Sequence, residues 1–502
     1  MAFVESFQRS FLPMNPRHQD RSRALQALTL GAVGLLLSSC AVFHSQRVQV
    51  ASRVTETLPP SAVTPGASGA AIPGSNGKTV FVPGRGGVLG GKANYASAPG
   101  VSASAIKIGI IVPLDGPAAA LGRPLYRATQ AYVNALNARG GIHGRLVQLF
   151  LQTACINCED ENLLAAKALV EQKHVFAIVN TYMNTYAFGA AMNYLNQQHV
   201  PLIEGWTGIG SEKMTWSADQ TPWNVYYTVR NEDAVQIYAD WLDTVMSHWA
   251  SAGKLPFPNN PHWVATVGLD VTQDRKRAAE FKRVWESKGA GYKVVSQQYV
   301  AAQEEAVRRM DSFISAMKNA QANGAFSASN ITMVFGMQAA NRNSWHVPWV
   351  SKSAWGKAAT DNCGAACNGG FTDNNGWGWA GICTPQMEQY LSTMRRYYPE
   401  GATYADAQTL GGWIGMMAFE FAASQLGADL TRPSLMNILG NLHNFDTGIG
   451  APINTSPSDH LGMGQTMMLQ ICHNRFWRVT NWLSPGASMA RVSNNGDCGW
   501  GW

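Results

Sequence analysis

The sequence predicts an α/β protein built as two doubly wound parallel-sheet lobes. From Ala105 onward, short apolar segments rich in β-branched residues alternate with helix-length amphipathic segments, the pattern of a parallel sheet covered by helices. The alternation runs once up to about residue 230 and again beyond it. The chain has 502 residues, 46% hydrophobic and 14% charged, which exceeds the usual span of one domain and can fill two cores.

The unit 105–145 sets the pattern. Ile106, Ile108, Ile110, Ile111 and Val112 form a buried strand that Pro113 ends. The turn Leu114-Asp115-Gly116-Pro117 uses Gly116 for permissive backbone angles and Pro117 to fix direction. Leu125, Ala128, Ala131, Tyr132, Ala135 and Leu136 then recur at helical spacing, and Gly140-Gly141 ends the helix. Ligands of open α/β sheets sit outside the carboxyl ends of strands, so loop 113–122 occupies a binding position.

Strand 146–151, helix 162–173, strand 175–179, loop 180–186, helix 189–197, strand 200–203 and loop 204–210 follow. A helix then runs from about Arg230 to His248. The second series reads strand 263–268, helix 275–288, strand 292–299, helix 304–322 and strand 331–335. Residues 341–382 are dense in Gly, Asn, Cys and Trp, and read as a disulfide-pinned insertion or a functional surface. Helices 386–397, 404–426 and 433–442 and strands 465–472 and 475–479 close the chain.

The N-terminal region differs in kind. Arg9, Arg17, Arg21 and Arg23 precede the apolar run 25–37 and then Ser38-Ser39-Cys40, so residues 1–39 read as a secretory signal. Residues 40–104, rich in Gly, Pro, Ala and Ser, read as a flexible tether rather than a fold. Gly84 to Gly90 has the glycine density of a phosphate loop, yet has no strand before it and no helix after it. The stretch 411–423 is too short for a membrane span and carries Glu420. Net charge is +6 and no basic patch interleaves with aromatics, so nucleic acid is not an expected partner.

Beyond Cys40 stand Cys155, Cys158, Cys363, Cys367, Cys383, Cys472 and Cys498. Export favours structural disulfides among them, leaving one over. A redox or zinc role for Cys155 and Cys158 is the alternative, but Cys363 and Cys367 do not supply the spacing of a second zinc pair. No metal or cofactor is expected. No GxSxG or HExxH motif occurs, and no histidine stands beside a nucleophile, so no catalysis is expected.

The runs IKIGIIVPLDGPAAALG, NALNARGGIHGR and YADAQTLGGWIGMMAFEFAASQLGADLTRPSLMNILGNLHNFDTGIGAPI resemble the periplasmic substrate-binding proteins of branched-chain amino-acid ABC transporters, over roughly 105–485. Leu37-Ser38-Ser39-Cys40 resembles a lipobox, which implies cleavage before Cys40 and a lipid on its sulfur. The resemblance implies a type I periplasmic-binding-protein fold with a three-strand hinge, crossed near 230, 383 and 464. One lobe would comprise 105–230 with 384–464, the other 231–383 with 465–485, and 486–502 would be a tail. That family has a helix between the strands expected at 331–335 and 346–350, and the space here is too short for it.

By the same resemblance, loop residues Thr181, Tyr182, Asn184, Trp206 and Thr207 would meet the ligand, with Thr181 and Thr207 donating to its carboxylate. Turn chemistry explains such Asn and Thr residues equally well. The family's acidic position for a ligand ammonium falls near Ser353, which carries no charge. Asp270 or Asp274 would substitute, and Asp270 suits a helix cap as well. Gln338 falls near a further contact, and Tyr404 at a wall position. Tyr182, Trp206 and Trp355 suggest a ligand larger or more aromatic than leucine, with core packing as the alternative. The implied role is a lipid-anchored envelope protein that delivers a small organic ligand to an ABC permease. A sensor domain of the same fold is the second reading.

Overall fold

The computed structural model describes residues 70–73, 79–82, 92–115, 119–156, 158–182, 186–205, 221–301, 303–352, 362–373, 384–400, 407–492 and 498–499. The strands are β1 Ala70–Pro73, β2 Thr79–Val82, β3 Ala105–Val112, β4 Leu146–Thr153, β5 Ala177–Thr181, β6 Leu202–Glu204, β7 Asn224–Val229, β8 Trp263–Leu269, β9 Lys293–Val300, β10 Gly324–Ser327, β11 Trp349–Ser351, β12 Phe371–Asp373, β13 Phe445–Asp446, β14 Leu461–Met463, β15 Met468–Cys472 and β16 Arg475–Arg478. The helices are α1 Ala119–Ala138, α2 Glu159–Lys167, α3 Gly189–Gln197, α4 Asn231–Ser251, α5 Thr272–Glu286, α6 Gln303–Asn319, α7 Asn330–Arg342, α8 Pro385–Tyr397, α9 Ala407–Leu426 and α10 Arg432–Leu439.

The first lobe is a six-stranded sheet in the order β14-β7-β6-β5-β3-β4, parallel throughout. The second is seven-stranded, β16-β15-β12-β11-β10-β8-β9, parallel from β9 to β12 and antiparallel for β15 and β16. The chain passes between the sheets after β7, between β12 and α8, and between β14 and β15. Trp482, beside the last crossing, packs against the core of each lobe.

Helix α9 is the axis of the first lobe, buried from Thr409 to Ser424 against α1, β5 and β6. Its Glu420 is fully buried; Oε2 accepts from Tyr132 Oη at 2.6 Å and Arg139 Nη2 at 3.2 Å, and Oε1 accepts from Arg139 Nη2 at 3.4 Å. No described helix is long and apolar enough to cross a membrane.

Several expectations need correction. The run expected as a strand at 331–335 is the first half of α7, started by the Ser329 side chain accepting from Thr332 N. The strand there is β10, made of Gly324, Ala325, Phe326 and Ser327, all buried. Residues of weak β preference form a strand because its two neighbours, β8 and β11, hold them. The helix for which the expected strands left no room is therefore α7. Strands β7 and β12 were not expected; in β7 the polar atoms of Asn224, Tyr226, Tyr227 and Thr228 disguise a strand buried on both faces.

The tether also ends early. β1 and β2 pair as a hairpin, and β13 pairs parallel to β2. Residues 92–104 are anchored: Asn94 donates to His143 O, Ser97 to Leu430 O, and Lys92 and Tyr95 to Asp429. Arg145, fully buried, donates to the carbonyls of Ser102, Tyr95, Gly427 and Ala428, joining this segment to the lobe. Past 486, Ala487 and Met489 pack on the second lobe. The disulfides are Cys155–Cys158, Cys363–Cys367 and Cys472–Cys498. Cys383 lies outside the described residues.

Candidate functional site

The carboxyl ends of β5 and β6 form the floor of the first lobe. Asn180, at a φ of 68°, is fully buried. Its Nδ2 donates to Thr129 Oγ1 at 3.1 Å and Gly412 O at 3.0 Å, and its Oδ1 accepts from Gly205 N at 3.2 Å. Two strand ends are thus tied to α1 and α9. The approach is close: a Cβ on Gly205 would overlap the Gly411 carbonyl oxygen, and one on Gly415 would overlap Asn180 Oδ1. The glycines of the TLGGWIGMM run are there to admit the strand ends.

Thr181 does not offer the free donors expected of it. Its hydroxyl donates to Glu204 Oε1 at 2.7 Å and its N–H to Glu204 Oε2 at 3.0 Å. A hydroxyl has one proton, so Thr181 Oγ1 can only accept from anything further. Glu204, 1% exposed, is the residue the sequence reading passed over; a carboxylate ending an apolar strand was its signal. Burial and the Glu204 charge together push the Tyr226 phenol up. Tyr182 is 5% exposed and belongs to the core cluster of the first lobe.

The floor of the second lobe is ionic. Asp274, in the first turn of α5, is 5% exposed. Its Oδ2 accepts from Leu269 N at 2.9 Å and its Oδ1 from Arg277 Nη1 at 3.2 Å. Ser329 also bonds to this carboxylate, and Lys352 acts on it electrostatically. Burial nonetheless raises its pKa against the pull of Arg277. Arg277 further donates from Nε to Asn231 Oδ1 at 3.0 Å and from Nη1 to Ala328 O. Asp274 is therefore engaged rather than open to a ligand ammonium. Its spacing of three from Arg277 on one helix was the legible signal of that pairing. Asp270 is exposed and paired with Arg275, which holds its carboxyl below the usual range.

Gln338 lies on α7, where Nε2 donates to Asn362 O at 2.9 Å. Asn184, Trp206, Thr207, Ser353, Trp355, Tyr404 and Cys40 lie outside the described residues. The structure thus brings Thr181 and Tyr182 together on one floor and Asp274 onto the other.

A family model described as periplasmic binding protein matches residues 105–474. No curated protein matches the sequence. Among solved structures, the chain is similar to a solute-binding protein of an ABC transporter from Rhodopseudomonas palustris HaA2 in complex with p-hydroxybenzoic acid, at 14% identity and a TM-score of 0.62, over 76% of this chain and 98% of that one. It is similar to the branched-chain amino acid transporter substrate-binding protein of Streptococcus pneumoniae in complex with isoleucine, at 14% identity and a TM-score of 0.60, over 75% of this chain and 100% of that one. A fatty acid ABC transporter substrate-binding protein from Thermomonospora curvata matches at 17% identity and a TM-score of 0.60, over 78% and 95%. At these identities the likeness is one of fold.

Proposed function

The chain belongs to the periplasmic binding protein family, and from that premise we propose that it captures a small organic solute between its lobes, outside the cytoplasm, and hands it to an ABC permease. One observation carries the reading. Two sheets, each ending in a buried polar floor at the carboxyl ends of its parallel strands, are joined by three crossings. That arrangement suits closure on a ligand without any bond being made or broken, so the protein is not an enzyme in this reading. The lipid on Cys40 would hold it at the membrane while the lobes stay in the envelope space.

The relatives named above are described with p-hydroxybenzoic acid, isoleucine and fatty acid, three solutes that share a carboxylate. An amino acid or related acid is the starting class, and Trp206 and Trp355 widen it to aromatic solutes. Thermal unfolding of the full chain against amino acids, aromatic acids, fatty acids, amides and short peptides tests this. A solute at a hundred times its dissociation constant adds about 2.7 kcal/mol of stability, a readable shift in midpoint. Stabilisation by one chemical class is expected; no shift with any of them would sink the reading. Unchanged binding by Trp206→Ala would remove the aromatic part alone.

A further inference from the structure

We infer that the second lobe takes hold of its solute through Arg277, and that the solute is therefore an organic anion that presents a carboxylate to this lobe, not an ammonium. The inference rests on the solute-binding reading above and narrows its ligand class.

The acids that the sequence offers for an ammonium are engaged. Asp274 receives Leu269 N, Ser329 and Arg277 and is 5% exposed. Asp270 is paired with Arg275. A further acid of this floor, Asp373, is 1% exposed and acts on Tyr238 together with Arg277.

Arg277 is the opposite case. It is 4% exposed, and its Nε and Nη1 serve Asn231, Asp274 and Ala328. Nη2 has no hydrogen-bond partner among the described residues. A guanidinium is always charged and only donates, so what completes it must be an acceptor, best an anionic one. Its place is set by its partners. Asn231 opens α4 just after the first crossing, and Ala328 follows the end of β10. The guanidinium thus lies at the carboxyl ends of the second sheet, beside the crossing, where ligands of such sheets sit. Lys352, just past β11, adds a second cation to the same strand ends. An ammonium placed against Nη2 would meet a like charge and a donor rather than an acceptor.

Calorimetric titration of the full chain with matched pairs tests this: leucine, isoleucine, phenylalanine and tyrosine, each beside the acid lacking only the amino group, with the amides of those acids and the corresponding amines as controls. At least one acid is expected to bind about tenfold or more tighter than its amino-acid twin and its amide. Arg277→Gln should weaken that acid by roughly ten- to a hundredfold, the loss of a charge-assisted hydrogen bond. Should that variant fail to fold, Arg277→Lys, which keeps the charge and loses the planar fork, should still bind the acid more weakly than the parent. An amino acid, amide or amine bound as tightly as its acid would overturn the inference and leave the solute-binding reading standing. So would an acid whose binding ignores both substitutions. Silence across every probe would count against both.

Discussion

The two lobes build their floors from different physics. In the first, strand ends meet a helix through glycines, and one asparagine and one Thr–Glu pair close the hydrogen bonds, with every named donor engaged. In the second, an ion pair within α5 is buried, Arg277 reaches Asn231 at the first crossing, and among the described residues one guanidinium nitrogen is left over. The difference teaches that a rigid floor needs close backbone approach, whereas a floor that reads ligand charge must keep a desolvated group incompletely satisfied. A completed network has nothing left to offer a solute.

The comparison can be broken from the ionic side first. Asp274→Ala strands the Arg277 cation in a buried site and should cost about 3–5 kcal/mol, read by urea unfolding. A loss below about 1 kcal/mol would mean that the ionic floor is not a unit. On the other floor, Gly205→Ala forces a methyl into the Gly411 carbonyl, where only backbone can give way. About 3 kcal/mol is expected, since overpacking against backbone lies at the upper end of such costs. An unchanged unfolding midpoint would show that α9 does not approach the strands that closely.

Thr181→Val sharpens the picture further. It removes the hydrogen bond from the Thr181 hydroxyl to buried Glu204, which should cost about 2 kcal/mol in the same assay. Ligand affinity should change less for Thr181→Val than for Arg277→Gln, because the Thr181 proton already points at Glu204. The reverse ranking would hand the charge-reading role to the first lobe.

The smallest effect is one of pH. His460, 6% exposed beside β14, donates from Nδ1 to Asn224 O at 2.7 Å, and burial lowers its pKa from the ordinary 6.5. Protons therefore bind the unfolded chain first. The stability held by the neutral ring is complete above the ordinary value and is lost as pH falls from 6.5 toward the lowered one. Unfolding midpoints measured through that window should decline on acidification and decline less in His460→Asn; equal slopes would refute the assignment.

Much of the fold is legible in local pattern. The unit 105–145 reads directly because its apolar spacing, breakers and glycine stop all agree. β10 does not, because Gly-Ala-Phe-Ser is a strand only between β8 and β11, while Ile331 to Phe335 has the stronger β composition and becomes helix behind the Ser329 cap. Roles were not legible: Thr181 ends β5 and Asp274 stands in the first turn of α5, but the groups expected to meet a ligand are engaged within each lobe.

By itself, then, the sequence determined the α/β class and the order of most elements, since these follow from periodicities that neighbouring residues set among themselves. Only the tertiary structure decided which polar groups remain available. Glu204 lies 23 residues from Thr181, and Asn231 lies 46 from Arg277. Whether a buried donor is engaged or left over depends on partners brought in by other strands, and no local pattern records them.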